Sequence, residues 1–170
     1  VSSSSLISRT KASCGVSQLK AFGEKFGFDV KVCRTLEKNG EEISSGKIKE
    51  YLNNGGVAFG GSAGAIIFGR DLEACRLDDA NDVNLTDIEG FDVLNGISIL
   101  CHYTNRTAEK DEQSKQFLLE LSKRRKAVAL PEEVTLFVND ESVEVIGNRP
   151  YYFFEDGEIR VAFEDVPHYN

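Results

Sequence analysis

Apolar and polar positions change period several times along this chain, and each change marks an element. From Val16 to Phe26 the apolar residues fall at 16, 19, 22 and 26, a helical spacing that runs through Gly23. After a turn glycine at Gly27, Phe28, Val30 and Val32 alternate as a half-buried strand does. The stretch "KNGEEISSG" has neither period and reads as loop. In "GKIKEYLNNGG", Ile48, Tyr51 and Leu52 share a helical face, and Gly55 stands where a left-handed C-cap would end it. "GVAF" is a short apolar strand running into Gly60, and "AGAIIFG" can start a helix.

Residues 70–90 are acidic and polar and read as a long surface loop. "VLNGISILCHY" is a strand ending near His102. The strongest helix is "DEQSKQFLLELSKRRK", with Phe117, Leu118 and Leu121 inward, acids first and a basic run Lys123–Lys126 at its close, matching the helix dipole. "AVALP", "VTLFVND" and "ESVEVIG" read as strands, and "RPYYFFEDGEIRVAF" as a hairpin turning at Asp156-Gly157. Strand and helix alternate through the middle. The predicted fold is therefore α/β, a mostly parallel sheet flanked by helices with an antiparallel C-terminal ribbon.

Composition narrows the function classes. The chain has 170 residues, enough for one domain with a real core, and the Ser-rich segment 1–13 reads as polar and disordered ahead of a single domain over 14–170. A net charge of −8 argues against binding driven by nucleic-acid phosphate. No apolar run approaches the roughly 20 residues that span a bilayer, and the start has no signal-peptide core. Cys14, Cys33, Cys75 and Cys101 are scattered without CxxC spacing, which reads as reduced thiols in a cytoplasmic protein. With two histidines, a multi-His metal centre finds no support. The Asn-x-Thr sequons at Asn84 and Asn105 carry little weight without a secretory signal. Because the chain contains no methionine, Val1 is not expected to be the translated start: a segment has been removed, or the chain belongs to a longer one.

Candidate chemistry centres on Gly60-Gly61-Ser62-Ala63-Gly64. This matches G-x-S-x-G between a predicted strand and a predicted helix, the context of a nucleophile elbow. Such a turn holds its serine in strained backbone and crowds the positions two before and two after, so small residues are expected at Gly60 and Gly64. It also aims the amide of Ala63 at a developing oxyanion. The missing lysine argues against a phosphate-binding P-loop. A serine needs a base, and His102 closes a predicted strand at the same sheet edge, whereas His168 lies two residues from the end. For the carboxylate that orients the imidazole, Glu132, Glu133, Asp78, Asp79 and Asp82 all remain candidates on spacing.

"YLNNGGVAFGGSAGAIIFG", "ILCHYTNR" and "ALPEEVTLFV", in that order, resemble the peptidase E family of serine peptidases, family S51, whose fold is similar to class I glutamine amidotransferase domains, a flavodoxin-like sandwich. The resemblance covers about residues 46–148. It implies hydrolysis of small peptides, with dipeptides beginning with aspartate as the suggested substrates. Ser62 matches the nucleophile and His102 the base, and no metal or organic cofactor is required. Glu132 aligns without a gap as third member; Asp79 is the alternative. Substrate-binding residues are not identified, with Asn105 and Arg106 as guesses only.

The chain departs from the pattern in having no Gly-Gly-Asn-Thr-like turn some 30 residues before the serine. This implies amino-terminal strands and half of the oxyanion hole missing or rearranged. A rival reading is therefore a degenerate relative acting as a non-enzymatic binding module, whose exposed sheet edge would invite a homodimer. Amidotransferase-like chemistry is weaker, since the elbow holds serine rather than cysteine.

Overall fold

In the computed structural model the described residues are 4–8, 29–33, 45–79, 81, 84–139 and 142–163. By their contacts they form two compact units, Val1–Gly64 and Ala65–Asn170, where the sequence is read as one domain over 14–170. The helix expected over Val16–Phe26 lies outside the described residues, as do His168, Asp82 and Cys14.

The first unit carries a three-stranded sheet of β1 (Ser4–Ser8), β2 (Asp29–Cys33) and β3 (Val57–Phe59), in the order β2-β1-β3. All pairings are parallel, with Leu6 opposite both Lys31 and Ala58. β1 corrects the expectation of disorder at Ser4–Ser8: serine-rich composition signals disorder, but a strand paired on both sides takes its hydrogen bonds from the backbone. Two strands therefore precede β3.

Helix α1 (Ser45–Asn53) ends as its sequence requires. Gly55 has φ +79°, its N–H donates to Leu52 C=O at 2.9 Å, and Gly56 N–H donates to Tyr51 C=O at 2.9 Å. That pair of bonds is a Schellman cap, which needs a left-handed residue at the glycine.

The second unit is built on a four-stranded sheet: β4 (Ile97–Leu100), β5 (Lys126–Ala129), β8 (Tyr151–Glu155) and β9 (Glu158–Ala162), in that order. β4 and β5 pair in parallel; β8 and β9 add antiparallel, completing the expected ribbon. The β8–β9 turn has positive φ at both Asp156 (52°) and Gly157 (78°), as a primed hairpin turn demands. β6 (Val134–Val138) and β7 (Val143–Gly147) pair separately as an antiparallel ladder.

Ile97, Ile99, Val128, Tyr151 and Phe153 pack in one core cluster, while Leu100, Ala127, Ala129 and Phe154 pack in the other with Leu118 and Leu121. The alternation is that of a sheet covered on both faces, which is why its parallel strands read as continuous apolar runs. Leu118 and Leu121 come from helix α3 (Ala108–Ser122), capped by Thr107, whose Oγ1 accepts from Lys110 N–H at 3.4 Å.

Two sequence expectations need correction here. The basic run closes α3 only through Lys123, the C-cap after Ser122; Arg125 instead pairs with Asp71, and Lys126, already in β5, pairs with Glu155 at 2.8 Å. Nor is segment 70–90 merely a solvated loop. Asp71 is 3% exposed, Ala74 and Cys75 are buried in a 3-10 turn (Glu73–Cys75), and the Asp71 backbone forms an isolated antiparallel bridge with that of Glu89. Ser98 Oγ donates to Asp71 Oδ1 at 2.8 Å, and Glu73 N–H donates to the same oxygen at 3.1 Å. An isolated carboxylate would be costly there; three kinds of donor satisfy it.

Candidate functional site

Ser62 sits between β3 and the short helix α2 (Ala63–Ile66) with φ 54°, a left-handed conformation rare for a residue with a side chain. Gly64 N–H donates to Gly61 C=O at 3.1 Å, closing the turn around it. Ala63 opens α2, so its amide belongs to the unsatisfied amino end of a helix. Strand, strained serine and helix thus follow each other within ten residues, the local geometry of a nucleophile elbow. A Cβ built on Gly64, one of the two positions where a small residue is expected, meets no described atom within 4 Å.

In the second unit His102 follows β4 and also has positive φ, 61°, with Thr104 at 65°. These residues curl the chain just past the β4–β5 ladder, which Leu130 N–H extends by donating to Leu100 C=O at 2.8 Å, and Tyr103 N–H by donating to Leu130 C=O at 3.1 Å. Pro131 then ends β5's extension, and Glu132 and Glu133 turn the chain toward β6.

His102 Nδ1 and Glu132 Oε1 meet at 3.0 Å. An ionised carboxylate can only accept, so this bond requires the proton on Nδ1, which in a neutral ring leaves the lone pair on Nε2. That is the tautomer a general base needs. The carboxylate that the structure brings to Nδ1 is Glu132; Asp79 follows the 3-10 turn, its N–H donating to Cys75 C=O at 3.0 Å.

Around the pair lie residues that the sequence offered only as guesses or did not flag. Asn105 Oδ1 accepts from Glu132 N–H at 2.8 Å, and its Nδ2 donates to Glu133 Oε2 at 3.4 Å. Arg149 donates through Nη1 to Glu133 Oε2 at 3.1 Å and through Nη2 to Thr104 Oγ1 at 2.8 Å. Glu133 is held below the usual carboxylate range by its own backbone amide first, then by Asn105 and the Arg149 charge. Arg149 has no sequence signal beyond being a cation before Pro150. Arg106, guessed as a substrate contact, instead pairs with Asp78 and, at 3.3 Å, with Asp111. Two carboxylates already offset its single charge, leaving little of it to recognise an acidic substrate.

Burial pushes the Cys75 and Cys101 thiols up to about 11, which keeps both protonated at neutral pH and makes them poor nucleophiles. Among the described residues no group of three His, Cys, Asp or Glu is arranged to hold a metal ion, and no helix is long and apolar enough to cross a membrane.

Comparison with known proteins gives three findings. The model of peptidase family S51 matches residues 29–146, more than half of the chain. A peptidase E of Nostoc sp. (strain PCC 7120) is 31% identical over 131 residues, covering 72% of this chain and 51% of that protein. The chain thus spans about half the length of that relative. A crystal structure from Listeria monocytogenes EGD-e, of a protein provisionally named peptidase E, superposes with a TM-score of 0.64 over 86% of each chain at 17% identity, a likeness of fold.

Proposed function

The chain belongs to peptidase family S51, and from that membership we propose that it is a serine peptidase hydrolysing small peptides. Ser62 is the nucleophile, His102 its base, and Glu132 the carboxylate that holds the imidazole tautomer. The hydrogen bond between His102 Nδ1 and Glu132 Oε1, at 3.0 Å, carries the reading. Surface histidines rarely need their ring proton fixed; a general base does. The positive φ of Ser62 between strand and helix supports it independently.

In this mechanism His102 Nε2 takes the Ser62 hydroxyl proton as Oγ attacks the scissile carbonyl. The Ala63 amide donates to the oxyanion, and the imidazolium then passes its proton to the leaving amine. A water deprotonated by His102 hydrolyses the acyl-enzyme and returns the serine. The balance needs only water and peptide. Dipeptides beginning with aspartate are the first substrates to try, on the family resemblance.

The test is labelling by a fluorophosphonate probe, alongside hydrolysis of Asp-X dipeptides with isoAsp-X controls. The native chain should label, and Ser62→Ala should abolish labelling. His102→Ala should slow both labelling and turnover by roughly a thousandfold or more. A folded sample that does not label overturns the reading and favours a non-enzymatic module.

A further inference from the structure

We propose that Asn105 is the positioning residue of the His102–Glu132 pair, tying the turn that carries the proposed base to the turn that carries its carboxylate. The inference rests on the peptidase reading above for its kinetic consequences, but not for its structural ones.

The pair is exposed: the His102 side chain retains 44% of its accessible surface and that of Glu132 59%. Contacts of this kind are individually weak in water and lose to side-chain entropy unless both ends are held. The β4–β5 ladder stops short of them, its last bonds being those that join Leu100, Leu130 and Tyr103. Beyond it, Asn105 supplies the link. Its backbone N–H donates to His102 C=O at 3.1 Å, closing the base's own turn. Its Oδ1 accepts the Glu132 N–H at 2.8 Å, and its Nδ2 reaches Glu133 at 3.4 Å. Arg149 adds an outer clip between Glu133 and Thr104.

The residue type follows from this arrangement. One side chain must accept from a backbone N–H and donate to a carboxylate, and only an amide does both at that length. Aspartate would face Glu133 with like charge; serine or threonine would not span the gap.

The decisive measurement is the ring 15N spectrum of His102, which reports where the imidazole proton resides. The chain has only two histidines, so a His168→Gln variant assigns the signals. Asn105→Ala should move the His102 ring shifts away from the Nδ1–H pattern, in the same direction as Glu132→Gln. In hydrolysis it should lower kcat about tenfold or more with KM little changed, because misplacing a catalytic pair costs rate rather than binding. In a Glu132→Ala background the same substitution should add less than about twofold, since a residue that acts through Glu132 has nothing left to position.

The double variant Asn105→Asp with Glu133→Gln reverses donor and acceptor and should restore the native ring shifts. It also decides the matter if Asn105→Ala does not fold. Native His102 shifts in Asn105→Ala, multiplicative losses in the Glu132→Ala background, or failure of the reversed pair to restore the shifts would each overturn the proposal. A wild-type chain without Ser62-dependent hydrolysis would sink the peptidase reading, and the ring spectra would still judge Asn105.

Discussion

At Glu132 a single atom separates a carboxylate that fixes the imidazole proton from an amide that does not. Glu132→Gln keeps the shape but lets a donor face Nδ1, which favours the wrong tautomer. The expected result is a fall in kcat of about 100- to 10,000-fold with little change in KM, measured on the dipeptide that the native chain cleaves best. Asp79→Asn should leave kcat within about twofold, because the carboxylate brought to Nδ1 is Glu132. Equal losses in the two variants would return the third role to Asp79. Ser62 and its turn were legible in the sequence because an elbow is local: five consecutive residues contain the whole requirement. The residues around the His102–Glu132 pair were not, because Asn105 reaches Glu132 across 27 positions and Arg149 reaches Thr104 across 45.

Elements were read most securely where a local rule closes them. The glycine that caps α1 and the Asp156-Gly157 turn each specify a backbone conformation that few residues adopt, and both appear where the sequence put them. Helix α3 was found by its apolar spacing, but its end was not. The basic residues that suit a helix terminus are taken by carboxylates elsewhere, Arg125 by Asp71 and Lys126 by Glu155. Asp71 consequently ties three elements, accepting from Ser98 in β4, from the 3-10 turn and from Arg125 after α3. Asp71→Ala would leave a fully buried serine hydroxyl and a half-buried guanidinium without this acceptor. We expect a loss of about 3 kcal/mol, read as a lowered midpoint in urea unfolding. A loss below about 0.5 kcal/mol would show the cluster to be decorative.

Across the whole molecule, the second unit buries ionisable groups in their neutral forms. Burial holds the Cys75 and Cys101 thiols near 11, against an ordinary 9.0, and the Tyr103 phenol near 12, against 10.0. Well below pH 9 all three are protonated in both states and stability is full. As pH rises from 9 toward 12 the unfolded chain releases these protons first, so stability must fall. The urea midpoint should hold steady up to about pH 8.5 and decline above it, more shallowly in a Cys75→Ala/Cys101→Ala variant. A flat profile to pH 11 would contradict the burial of these groups.

The sequence by itself determined the class of fold, the strained serine between a strand and a helix, and the histidine at a strand end. All three follow from residues adjacent in the chain, where hydrophobic period and turn chemistry act directly. Tertiary structure decided which carboxylate meets the imidazole, why a serine-rich segment becomes the middle strand of a sheet, and where the basic run is spent. Those outcomes depend on groups brought together from distant positions, and composition cannot reveal which of several equivalent charges will arrive.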